Sequence, residues 1–356
     1  MVLLEAAFRK GYYAFVQGIS IIIPFYNAYA TFGKLYHSIK SQESVSLPYE
    51  IIVVDDCSPA PPEENYFGQF PDVKIIHLNS NKGPMGARLI GAAEATYENI
   101  LFFDADDELA PSFFQSASPI LESDYSFILF YAQNDDGTFA AKLRNGSGPL
   151  SEPDVLSCLF LNGKSGYTCC KIIRKDLFKG FSVDAVPRMF YLEDSLLNVL
   201  LFSRLNHSAY YIDKPLAFWH ATATSLSRRA DGSFFDCLCT VLKAKQKLVK
   251  LYSDVFAPIK CESIINLWFC DSLCEIYCKC LRNKRRKEAN AKLKSIRRQS
   301  SFWAIVSSEN FSNCSFKTAL FLFCYRFHLL WLFGIIRSLY KVRLFFSPHN
   351  ETPNLI

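Results

Sequence analysis

No stretch of this sequence is both long and apolar enough to cross a bilayer. The most apolar tract, TALFLFCYRFHLLWLFGIIRSLYKVRLFF (318–346), is cut by Arg326, His328, Arg337, Lys341 and Arg343. Its uncharged runs fall well short of the roughly 20 residues that span hydrocarbon. Two readings remain for it: an aromatic, Lys/Arg-studded helix lying in a membrane interface, or a core helix with a solvated basic neighbour. No G-x-G-x-x-G follows the first apolar run, which disfavours a dinucleotide oxidoreductase, and NKGPMGAR (81–88) lacks the Gly-Lys-Ser/Thr of a P-loop. The N-terminus MVLLEAAFRKGYYAFVQG has no basic stretch ahead of an apolar core, so no secretory signal is expected. Paired Cys-x-x-Cys knuckles are missing too. The 13 cysteines are odd in number and form no small-domain disulfide pattern, and the expectation is a reduced, cytosolic chain. Cys270, Cys274, Cys278 and Cys280 follow helical spacing, which fits a buried helix face better than zinc.

What the chain does have is length and apolar mass. Its 356 residues are 50% hydrophobic and 21% charged, enough for a sizeable core and against global disorder. The net charge of +5 is concentrated. Residues 282–298, RNKRRKEANAKLKSIRR, carry nine Lys/Arg and one Glu, a local +8, which leaves −3 for the remainder. Such a stretch adds attraction to anionic lipid, on the order of 1 kcal/mol per basic residue near the surface. Basic stretches bind any polyanion, but no nucleic-acid partner is expected.

Five short apolar runs without polar alternation, at 19–24, 49–56, 73–78, 99–104 and 125–131, suit strands buried on both faces of a parallel sheet. Helix-like stretches at 30–42, 84–97 and 111–123 lie between them. That alternation predicts a doubly wound α/β fold. Residues 134–150 read as loop or short hairpin, 152–162 and 193–205 as helices, 209–220 as strand and turn, and the chain from Ser233 onward as helical.

In open parallel sheets ligands bind beyond the carboxyl ends of the strands. Here the first strand runs into Pro24, Phe25, Tyr26 and Asn27. The second ends in Asp55, Asp56, Cys57 and Ser58, and the fourth in Asp104, Asp106 and Asp107. Carboxylates gathered at one edge repel one another unless a cation sits among them. Mg²⁺ and Mn²⁺ take oxygen ligands, and Mg²⁺ sites often combine carboxylates with substrate phosphates. A strand-end Asp-x-Asp is therefore a reasonable platform for a metal and a diphosphate. Taken singly, each motif has a plainer reading: DDCS as a turn with a helix cap, and DADDELAP as a cap with acidic first-turn residues. Asp107 and Glu108 are expected to begin the following helix.

Together, SIIIPFYN, EIIVVDDCSPA, NKGPMGARLIGAAEA, ILFFDADDE and YLED resemble the family 2 glycosyltransferases of GT-A fold, over about residues 18–228. The resemblance implies a Rossmann-like, mostly parallel sheet with flanking helices. It also implies an inverting, metal-dependent glycosyltransferase of the bacterial polysaccharide type. The donor would be a nucleotide-diphosphate sugar, UDP-linked by preference, and the acceptor a glycan or lipid-linked molecule at the inner face of the cell membrane. Pro24, Tyr26, Asn27, Asp55, Asp56, Arg88, Asp104 and Ala105 would border the donor, with either Asp55 or Asp56 meeting the base or ribose. Asp106, with Asp104, would hold a Mn²⁺ or Mg²⁺ ion, and His220 is a further metal candidate against a structural histidine. In Glu193–Asp194, Asp194 would be the general base. Arg228 and Arg229 are candidates for closing over the diphosphate. Cys57 stands where the family usually has Gly, and Leu89 where it has Asn. The expected division is an extension at 1–17, a catalytic domain at 18–230 and a helical region at 231–356, with peripheral membrane contact through 282–346. The rival readings are a sugar nucleotidyltransferase, disfavoured by the Gly-poor PFYNAYATFGK, and a non-catalytic glycan- or lipid-binding relative.

Overall fold

The computed structural model describes residues 16–45, 47–59, 65–161, 167–183, 186–206, 208–221, 230–298 and 314–336. Most of the expected N-terminal extension, together with Arg228 and Arg229, lies outside them.

The predicted alternation is present. Strands β1 (Val16–Phe25), β2 (Tyr49–Asp55), β3 (Val73–His77) and β4 (Tyr97–Phe102) alternate with helices α1 (Phe32–Lys40) and α2 (Gly83–Glu94). The β1–β2, β1–β4 and β2–β3 pairs are all parallel. The central runs of β1, β2 and β4 are apolar without alternation because both faces are covered, while β3, at the edge, keeps Lys74 and His77 exposed. Ile19, Ile21, Ile23 and Phe25 belong to one core cluster with Phe32, Leu35 and Ile39 of α1. On the other face Gly91 lets α2 lie close to the sheet, since a Cβ there would fall 2.3 Å from Ile22 Cγ2.

Beyond β4 come β5 (Glu108–Leu109), α3 (Phe113–Leu121), β6 (Phe127–Asn134), β7 (Phe139–Ala140), β8 (Gly148–Leu150), β9 (Lys171–Arg174), α4 (Glu193–Leu201) and β10 (Ala209–Trp219). The strand order is β3-β2-β1-β4-β9-β6-β10-β5. Within this largely parallel sheet β9 inserts antiparallel between β4 and β6. Its four residues are too few to announce a period in sequence. One expectation changes here: Glu108 does not begin a helix. It pairs with Phe218 and Leu109 pairs with Ala217, antiparallel to β10. Pro111 disfavours helical geometry in the residue before it, and α3 starts only at Phe113.

The chain divides into two compact units, Met1–Ser227 with Thr240–Cys261, and Arg228–Cys239 with Glu262–Ile356. Residues 240–261, which a boundary at residue 230 gives to the helical region, thus belong with the first unit. The second contains most of α6 (Cys261–Arg282), all of α7 (Arg286–Arg297) and all of α8 (Phe316–Arg326), while α5 (Ser233–Leu251) contributes to both. Cys270, Cys274, Cys278 and Cys280 are buried along α6, as a helix face requires. Among the described residues no metal-holding cluster of His, Cys, Asp or Glu occurs.

Candidate active site

The carboxyl ends of β1, β2 and β4 line up, since Phe25 pairs with Asp55 and Ile22 with Phe102. Tyr26 and Asn27 leave β1 exposed, and Pro24 is half-buried. Asn27 turns the chain with φ 52°, a conformation Asn tolerates better than most residues. Its amide donates to Ser58 Oγ at 2.9 Å, which fastens the β1 turn to the β2 turn.

Both carboxylates of the second motif are buried and hydrogen-bonded. Asp55 Oδ1 accepts from the Ser58 amide at 3.0 Å, and Oδ2 lies 2.9 Å from His77 Nδ1. Asp56 accepts from the amides of Lys82 (2.5 Å) and Gly83 (2.8 Å), so it caps the start of α2. Burial raises its pKa, and those two amides oppose the rise. Between Asp56 and Ser58, Cys57 has φ 62°. That left-handed conformation costs an L-residue roughly 1–2 kcal/mol, a physical reason for the glycine that the family shows there. Leu89 is buried within α2, where an apolar side chain suits its surroundings.

Arg88 is the centre of the site. Its buried guanidinium donates through Nη2 to Asp104 Oδ1 at 2.7 Å. Through Nη1 it donates to Asp194 Oδ1 at 3.1 Å and to Glu193 Oε1 at 3.5 Å. Burial alone would weaken its charge, but the three carboxylates outweigh burial and hold it more firmly protonated. One side chain from α2 therefore ties the end of β4 to the start of α4. Asp194 also accepts from the Thr168 hydroxyl at 3.0 Å and the Thr168 amide at 3.3 Å. Glu193 has its pKa pushed up to about 7, first by burial and then by Asp194, with Arg88 opposing. The residue before the pair, Leu192, sits at φ 60°, strain of the kind that collects at functional sites.

On the other side of Asp104 lies an acidic group. Asp107 is buried, accepts the His220 amide at 3.0 Å and has its pKa pushed up to about 8. Burial leads that shift, followed by Asp104, with Asp106 and Asp135 adding to it. His220 lies between two carboxylates, with Nε2 2.8 Å from Glu108 and Nδ1 2.7 Å from Asp135. It would have to release one of them to reach a cation. Ala105 is buried between Asp104 and Asp106, both of which are half-buried.

The donor set is hard oxygen, from the neighbouring carboxylates of Asp104, Asp106 and Asp107, the ligand type that hard divalent cations take. The residues at the end of β4 therefore fit Mg²⁺ or Mn²⁺. With no cluster of three ligands among the described residues, a cation would draw further oxygens from a substrate.

Sequence reasoning gave no role to Thr168 or to Lys171, whose ammonium donates to Asn198 Oδ1 at 2.8 Å. Both sit on segment 168–171, and only the fold brings it against α4. Arg188 likewise carries no sequence signal; it donates to Asn81 Oδ1 at 2.6 Å and lies over the Phe190 ring.

Comparisons with known proteins bear on the family and the fold. Residues 20–181 match the model of glycosyl transferase family 2. The poly(ribitol-phosphate) β-N-acetylglucosaminyltransferase TarS of Staphylococcus aureus (strain MW2) is 26% identical over 209 residues, 57% of this chain and 35% of that protein. The chain thus spans about a third of the length of that curated relative. An uncharacterized glycosyltransferase of Haemophilus influenzae is 29% identical over 222 residues, 59% of this chain and 71% of that one. The crystal structure of S. aureus TarS residues 1–349 in complex with UDP-GlcNAc superposes with a TM-score of 0.62 at 16% identity, covering 91% of this chain and 92% of that one. That likeness is one of fold, and the fold is the GT-A type. Over residues 20–181, a little under half of its length, the chain is thus similar to glycosyl transferase family 2.

Proposed function

We propose that the chain is an inverting glycosyltransferase that moves a sugar from a nucleotide-diphosphate donor to a hydroxyl of a cell-surface glycan or lipid-linked acceptor. The observation that carries this reading is the Arg88 bridge. One guanidinium joins Asp104, on the donor side, to Asp194 and Glu193. Asp194 is the general base in this mechanism. It takes the proton of the acceptor hydroxyl as that oxygen bonds to the anomeric carbon, opposite the breaking bond to the diphosphate. The turns after β1 and β2 border the nucleotide, with Asp55 and Asp56 fixing their shape. Asp106 and Asp104 would hold the cation, which when bound offsets the charge of the departing diphosphate. The UDP-GlcNAc named in the TarS complex makes UDP-sugars the first donors to try, and the TarS name puts poly(ribitol-phosphate)-like polymers first among acceptors.

The test is a thermal-shift panel of UDP-, GDP- and dTDP-sugars with Mn²⁺, followed by assay of nucleotide release. One donor class should stabilise the protein and be turned over. Asp106→Ala should lose the Mn²⁺-dependent part of that stabilisation. An unchanged Mn²⁺ response would remove Asp106 as a ligand, and the absence of turnover with every donor would remove the enzyme reading.

We further infer that the enzyme works in the cytoplasm against the inner membrane face, through its helical unit. No helix among the described residues is long and apolar enough to cross a membrane. Phe323, Phe327, Trp331 and Ile335 nevertheless recur at every fourth position, each about half exposed. The exposed Lys287, Lys294 and Arg298 of the α7 region supply positive charge, and Arg297 donates to His328, between those apolar residues, at 2.8 Å. Such a stripe in the sequence, on a unit that also carries exposed cations, fits an anionic bilayer surface. In flotation assays the protein should rise with phosphatidylglycerol-containing vesicles and much less with phosphatidylcholine alone. The triple variant F323S/F327S/W331S should stay at the bottom. Equal recovery of the variant with anionic vesicles would rule the stripe out.

A further inference from the structure

Behind the catalytic pair the protein buries a cation that the reaction outlined above does not use. Lys171, the first residue of β9, is fully buried. Its ammonium donates to Asn198 Oδ1 at 2.8 Å and lies 5.8 Å from the centre of the Phe127 ring. Asn198 is also buried, and it stands four residues after Asp194, one turn along the same face of α4. Three residues before Lys171, Thr168 holds the Asp194 carboxylate through its amide and its hydroxyl. Segment 168–171 and α4 are therefore joined by two polar rungs, Thr168–Asp194 at the mouth of the site and Lys171–Asn198 one turn deeper. Burying an ammonium is costly, and an apolar side chain would fill this position of β9 more cheaply. The surroundings of the two rungs name what the charge acts on. From α2, Arg88 faces Asp194, with Glu193 beside it and Asp104 on the far side of Arg88. Lys171 is faced by the thiols of Cys169 and Cys170 on its own segment, by Cys158 from the neighbouring helical turn and by Asp194. Burial brings its pKa down to about 8, and Asp194 leads the groups that oppose the fall.

We propose that Lys171 is a positioning residue for the general base. By gripping Asn198 it fixes the helical turn that carries Asp194, and it gives that carboxylate a second buried cation besides Arg88. The inference rests on the reading of Asp194 as the base. A nearby positive charge favours the ionised form of a carboxylate, so its removal should show first at low pH.

The experiment measures nucleotide release against pH for the parent and for Lys171→Met, Lys171→Gln and Lys171→Arg, with Asp194→Asn as control, each first shown folded by thermal denaturation. For the Met and Gln variants the acid limb of kcat should move to higher pH, by roughly one pH unit. KM for the donor should stay within twofold, and Arg should restore most of the parent profile. If Met or Gln folds and gives the parent profile, or lowers kcat equally at every pH, the proposal is overturned and Lys171 only supports the fold. If neither folds while Arg keeps the parent profile, the claim that a cation here serves the base is likewise rejected in favour of a folding role. If Asp194→Asn stays active, or no donor is turned over, the underlying reading has failed and this inference falls with it.

Discussion

Asp194→Asn should abolish transfer while leaving donor binding close to that of the parent. The amide keeps the size of the carboxylate and can still accept from Arg88 and the Thr168 hydroxyl through one oxygen. What it cannot do is take a proton from the attacking hydroxyl, a function worth about 10²- to 10⁴-fold in rate. Asp194 is the more firmly held of the pair. Asp194 receives three hydrogen bonds, from Arg88 and from both donors of Thr168, whereas Arg88 reaches Glu193 only at 3.5 Å. Glu193, with its pKa near 7, is partly protonated at neutral pH. Glu193→Gln should therefore cost less than Asp194→Asn, and most of its effect should appear above pH 7, where the parent residue carries its charge. Donor affinity by calorimetry and nucleotide release by a coupled assay would separate binding from chemistry. Parent-like turnover by Asp194→Asn would move the base to Glu193 or elsewhere.

How much of this was legible in the sequence depends on range. The ends of β1, β2 and β4 could be read because an apolar run followed at once by Asn or Asp has few structural excuses, and all three meet at one edge of the sheet. The turn chemistry was half legible. A cysteine where glycine is usual becomes intelligible only once φ at Cys57 is known to be 62°. The acidic run at 104–108 is ambiguous in sequence, because its last member has the character of a helix start. Glu108 instead joins a two-residue strand whose partner, β10, lies more than 100 residues later. Its carboxylate meets His220, so Glu108 shares a histidine with Asp135 rather than feeding a helix dipole. Thr168, Lys171 and Asn198 carried no local signal at all. A threonine, a lysine and an asparagine become a device only when β9 is inserted antiparallel beside β4. Arg88 could be picked out by its motif, but its three partners could not. They lie 16, 105 and 106 residues away.

Arg88→Met should be the most destabilising substitution in the site. It leaves Asp104, Glu193 and Asp194 facing one another without the cation that now lies among them. Breaking a buried ion pair by removing one partner typically costs about 3–5 kcal/mol, which for a unit of this size lowers Tm on the order of 10 °C. Arg88→Lys should recover part of the stability and little of the activity. A single ammonium cannot reach Asp104 with one arm and the Glu193–Asp194 pair with the other. The deficit should depend on pH, with a sign fixed by Glu193. Its folded pKa already lies above the unfolded value, so it contributes most to stability at low pH and loses that contribution as pH rises through about 7. Arg88 opposes this upward shift. Without it the folded pKa rises further, so the gap in Tm between variant and parent should be smallest near pH 5 and should widen toward pH 8. Thermal denaturation of both proteins across that range is the measurement. A variant that melts within a degree or two of the parent at pH 8 would mean that the three carboxylates are balanced by other groups. In that case Arg88 would act on the donor phosphates rather than on the frame of the site.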